Sequence, residues 1–149
     1  SLEGIRTMQP RLSIVTLGVK DLQKSKQFYR DGLGWKTSDK EDEDIVFFKL
    51  NSIVLALYPY DKLAEDALVK PDGTGFTGIT LTHNVGSEKE VDEVLETARK
   101  AGAKIIKNGQ KVFWGGYSGY FADPDGYLWE VAYNPFWKLD SEGNPTYSG

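Results

Sequence analysis

Tyr117-Ser118-Gly119-Tyr120-Phe121-Ala122-Asp123-Pro124-Asp125-Gly126-Tyr127-Leu128-Trp129-Glu130-Val131-Ala132-Tyr133 is the stretch that decides the fold. Two β-rich runs, 117–122 and 127–133, flank four residues that favour a tight turn. Proline presets φ, the aspartates bond the backbone ahead of them, and glycine accepts a positive φ. The pattern predicts two strands joined by a turn. Upstream, Ser87 is placed to cap a helix over 88–100, with Glu90 completing a capping box. Val91, Val94, Leu95 and Ala98 form the apolar stripe of that helix, and Gly102 ends it. Strands over 76–85 and 103–107 complete the set, so the second half reads strand, helix, three strands.

The first half repeats that order. A strand over 11–19 leads to Asp21, the N-cap of a helix over 22–31 that carries Leu22, Phe28 and Tyr29 on its apolar face. Gly32-Leu33-Gly34 stops the helix. A short strand over 35–38, a charged loop over 39–44 and strands over 45–50 and 53–58 follow, the last pair joined at Asn51-Ser52. Val19-Lys20-Asp21 answers Val85-Gly86-Ser87, Gly34 answers Gly102, and Asn51-Ser52 answers Asp125-Gly126. The expected fold is α+β: two tandem βαβββ modules, 11–59 and 76–135, in one domain over 11–137. Residues 60–75 are a linker with one helical turn about 63–68, and 1–10 and 138–149 are tails. Helices on one face of a sheet leave the other face free, so the modules should form a cupped mixed sheet with the helices outside. Mostly apolar concave surfaces of this kind hold small ligands.

The chain has 149 residues, enough for one domain with its own core. A net charge of −4 argues against a nucleic-acid surface, which needs clustered Lys and Arg. The absence of cysteine excludes disulfides, thiolate chemistry and Cys-based zinc sites. No apolar run approaches a membrane span, and no basic-then-apolar leader precedes the first strand, so the expected location is cytoplasmic.

The patterns Val19-Lys20-Asp21-Leu22…Ser25…Phe28-Tyr29…Leu33-Gly34 and Phe121-Ala122-Asp123-Pro124-Asp125-Gly126…Glu130-Val131 resemble the vicinal-oxygen-chelate superfamily of glyoxalases, extradiol dioxygenases and bleomycin-resistance proteins. The resemblance implies paired βαβββ modules, a homodimer, and in many members a divalent metal in the cup. Catalytic members take His, Gln or Glu ligands from the first and last strands of each module. Carried onto this chain, those positions fall on Ile14, Ala56, Thr80 and Glu130. A one-residue slip in register would substitute Ser13 or Ile79. Only Glu130 matches, so no cofactor is expected, with a divalent metal as the alternative.

Glu130 has two readings: a carboxylate bonded to a neighbour in a partly polar cup, or a general base. His83, the only histidine, should face the other side of its strand as a structural residue, and Trp129 should pack under a helix. Strand alternation places Val54, Ala56 and Tyr58, Thr80, Thr82 and Asn84, and Thr16 in the cup. The segment 112–120 interleaves glycines with aromatics. It reads either as a lip presenting Trp114 and Tyr117 to a planar or cationic ligand, or as a hairpin whose aromatics plug the core. The expected partner is a small organic molecule, with neither nucleic acid nor membrane. The leading reading is a metal-independent binding protein. The alternatives are a metal-dependent lyase, isomerase or dioxygenase acting on vicinal oxygens, and a purely structural module.

Overall fold

The computed structural model describes residues 8, 10–37, 44–73, 75–77 and 79–146. Its elements follow the duplicated order. The first module holds β1 (Ile14–Val19), α1 (Leu22–Gln27) with a π-helical turn (Phe28–Gly32), β2 (Val46–Lys49) and β3 (Val54–Pro59). A linker helix α2 (Tyr60–Asp66) leads to β4 (Leu81–Asn84), α3 (Glu88–Lys100), β5 (Lys104–Lys111), β6 (Tyr117–Ala122) and β7 (Leu128–Tyr133). The strands make two mixed sheets, ordered β1-β3-β2 and β4-β7-β6-β5. β1 runs parallel to β3 and β4 parallel to β7, because a helix crossover separates the first and last strands of each module. The sheets stay open, with β1 at one edge of the first and β4 at one edge of the second.

Both caps form as the sequence requires. Asp21 accepts from the Lys24 N–H at 3.0 Å, and Ser87 from the Glu90 N–H at 3.1 Å. Glu90 reaches back to the Gly86 N–H at 3.0 Å, one residue before the N-cap, so the capping box is displaced by one.

Several boundaries differ from expectation. The strand expected over 35–38 is reduced to a single bridge, Thr37 to Phe48, and 38 and most of the charged loop lie outside the described residues. The strand expected from 76 begins at Leu81. The strand expected over 103–107 runs on to Lys111 through two irregularities in register, which periodicity alone does not signal. The linker forms two turns of helix beginning at Tyr60, earlier than the turn expected about 63–68. Past Lys138 the chain turns back in a Leu139–Pro145 bridge, and Asn51 Nδ2 donates to the Glu142 carbonyl. That stretch therefore covers the β2–β3 turn, where an unattached tail was expected.

In β1, β3, β6 and β7 the odd-numbered residues lie on the helix side, as do Val46 and Phe48 of β2. Leu17, Val19, Leu55, Leu57, Phe121 and Val131 are buried there with Phe28, Tyr29, Val91 and Leu95. The two modules lock together through a polar knot inside this core. The Tyr29 hydroxyl donates to Asp123 Oδ2 at 2.6 Å and accepts from Trp129 Nε1 at 3.1 Å. Asp123 Oδ1 also accepts the N–H groups of Asp125 and Tyr127, each at 2.9 Å, and so holds the β6–β7 turn. Burial is the main cause that raises the pKa of both Tyr29 and Asp123.

Candidate functional site

Glu130 lies on the face of β7 away from the helices. Its Oε1 accepts from the Thr82 hydroxyl on β4 at 3.2 Å. In register, Thr82 stands opposite Glu130, Glu130 opposite Tyr120 on β6, and Tyr120 opposite Lys107 on β5. Paired residues share a face, so these four form one polar row across the open face of the second sheet. Burial and the charge of Glu130 both push the Tyr120 phenol pKa up, so it is a proton donor at neutral pH. The next row holds Asn84, Ala132, Ser118 and Gln110.

On the first sheet, Thr16, Ala56 and Phe47 make the corresponding row, with Ile14 opposite Val54 and Gly18 opposite Tyr58. Ala56 is only 1% exposed, so it forms the floor between its neighbours. Thr80 is exposed just ahead of β4. Trp114 sits in the tight turn closed by Val112 and Gly116, and its ring lies on Gly116, where a Cβ would meet it at 1.9 Å. Gly116 shares the parity of Ser118 and Tyr120, so the indole flanks the open face.

Tyr117 departs from expectation. As the first residue of β6 it has the helix-side parity, and its hydroxyl donates to Asp92 Oδ1 on α3 at 2.8 Å. It ties α3 to the sheet and does not reach the open face. His83 also lies on the helix side, beside Trp35, Phe121 and Trp129 at a cavity of about 140 Å³. Burial lowers its pKa, which leaves the imidazole neutral at pH 7. Tyr120 and Lys107 were missed by sequence reasoning. Tyr120 was legible from the alternation of β6, whereas Lys107 depends on a bulge.

The metal implied by the resemblance does not fit these residues. Ile14 and Ala56 carry no donor atom, Thr80 offers a neutral hydroxyl, and Glu130 is already engaged by Thr82. Among the described residues no three His, Asp or Glu side chains are grouped to hold an ion.

With the duplicated modules and the open face in place, comparison with known proteins identifies the class. Residues 11–131 match the model of the Glyoxalase/Bleomycin resistance protein/Dioxygenase superfamily, and the chain belongs to that superfamily. A glyoxalase-related enzyme from Fulvimarina pelagi is 35% identical, over 94% of this chain and 99% of that one, with a TM-score of 0.83. A lactoylglutathione lyase from Agrobacterium tumefaciens shares the fold at 24% identity and a TM-score of 0.66, over 89% of this chain and 100% of that one. No helix among the described residues is long and apolar enough to cross a membrane.

Proposed function

We propose that this chain binds a small organic molecule on its open face, without a complete protein-held metal site. The carrying observation is the row Thr82–Glu130–Tyr120, a carboxylate between two hydroxyls on an otherwise mixed surface. Glu130 accepts, Tyr120 donates, and Trp114 at the edge supplies stacking area. Thr16, Tyr58 and Thr80 add hydroxyls on or beside the open face, over the floor at Ala56. This combination suits a flat molecule with at least one hydrogen-bond donor or positive group. We further propose a cytoplasmic protein, and a homodimer on the resemblance.

A second reading, a lyase, isomerase or dioxygenase of the same fold, is favoured by the 35% identity to the glyoxalase-related enzyme of Fulvimarina pelagi. In that case Glu130 is the group placed to move a proton, with Thr82 holding its orientation.

Thermal unfolding with benzylamine, benzamidine and benzyl alcohol tests the binding reading. A compound near 100 times its Kd adds about 2.7 kcal/mol. For a chain of this size that is a midpoint rise of roughly 5–10 °C. The rise should vanish in Glu130→Ala and persist in Tyr117→Phe. No rise with any of the three, or one indifferent to Glu130→Ala, contradicts the reading.

A further inference from the structure

The seam between the two sheets holds a slot of about 340 Å³, at the lower end of the range for small-molecule pockets. Leu63 of α2 and Ala67 at its C-terminal end form one wall; Leu17 of β1, with Leu81 and Leu128 of the second sheet, forms the other. The walls are preformed. A Cβ on Gly18 would stand 3.0 Å from the Tyr60 ring and 3.3 Å from a Leu63 methyl, so α2 is seated directly on β1. The Tyr127 hydroxyl donates to the Gly18 carbonyl at 2.7 Å and ties the second sheet to the same point.

The slot is largely apolar, and among the described residues a single charged side chain lines it, Lys70. Lys70 makes no ion pair with any described residue. The acidic groups of this region, Asp61 and Asp125, line the wider outer cleft of about 990 Å³, where Asp125 accepts the Lys20 N–H. The polar row around Glu130 lies outside both cavities.

We propose that this slot is a second binding site, for a small amphiphile with one carboxylate: an alkyl or aryl body between α2 and the sheet edges, its carboxylate on Lys70. Apolar burial supplies the binding, and the lone ammonium selects the sign of the head group. The slot shares Thr16 and Gly18 with the open side of β1 but includes none of Thr82, Glu130 and Tyr120, so its ligand need not be the one read by Glu130.

Isothermal titration calorimetry of the full chain with sodium octanoate, against octylamine, is the test. Saturable binding of octanoate, at least tenfold tighter than octylamine, is expected. Ala67→Trp, at an exposed position that projects into the slot, should abolish it. Lys70→Glu should weaken octanoate more than tenfold and reverse the preference. Glu130→Ala should leave it unchanged, which separates this site from the Glu130 row. Absence of octanoate binding, equal affinity for the two head groups, or loss in Glu130→Ala with retention in Ala67→Trp would overturn the proposal.

Discussion

Asp123→Ala is expected to lower the unfolding free energy by about 3–5 kcal/mol, because one buried and two part-buried donors lose their acceptor at once. The carboxylate is 4% exposed and receives the Tyr29 hydroxyl and the N–H groups of Asp125 and Tyr127. Tyr29 is fully buried, so its hydroxyl cannot turn to solvent. At roughly 2–4 °C per kcal/mol for a chain of this size, the midpoint should fall by about 10 °C.

Asp123→Asn keeps an acceptor of the same shape and should cost about 1–2 kcal/mol. It should also remove a pH dependence. Burial raises the Asp123 pKa in the folded chain, so between the ordinary value and the raised one the folded state holds the extra proton. The contribution of Asp123 is therefore full below about pH 4 and is lost as pH rises through the raised pKa. Urea melts across that interval should show the wild-type advantage over Asp123→Asn shrinking with rising pH and then levelling.

Trp129→Ala should cost about 3–5 kcal/mol, as large-to-small changes of buried aromatics do. The indole is 7% exposed and stacks on Phe121, with centroids 6.2 Å apart and planes 7° from parallel. It meets Trp35 edge-on at 5.7 Å and donates to Tyr29 at 3.1 Å. A cavity of about 140 Å³ already borders it, so truncation enlarges a hole that the helices cannot readily close. Trp129→Phe retains most of the stacking but loses the donor, and should cost about 1–2 kcal/mol. In urea the midpoint should move while the slope stays constant, since the same surface is exposed on unfolding.

The architecture was legible because its punctuation is local. Asp21 and Ser87 cap, Gly102 terminates at positive φ, and Asp123-Pro124-Asp125-Gly126 turns, each through chemistry confined to a few residues. Parity placed Trp129 and His83 on the helix side and Glu130 away from it. The two readings of 112–120, a lip over the face or a hairpin plugging the core, left Tyr117 unplaced, whereas β6 begins there and alternation assigns the residue to α3. The partner of Glu130 was not legible, since the pairing of Thr82 with Glu130 is set by register between strands 48 residues apart. The slot under α2 was equally hidden. It depends on how the linker lies on Gly18, a contact that no periodicity encodes.

The most direct measurement is a thermal-unfolding series on chelator-stripped protein with Mn²⁺, Fe²⁺, Co²⁺, Ni²⁺ and Zn²⁺, run beside Glu130→Ala. With Glu130 engaged by Thr82 and no donor at Ile14 or Ala56, the expected result is an unchanged midpoint with every ion, in wild type and variant alike. A rise of the size produced by a ligand at about 100 times its Kd, roughly 2.7 kcal/mol, that disappears in Glu130→Ala would contradict it and make this chain a metalloprotein.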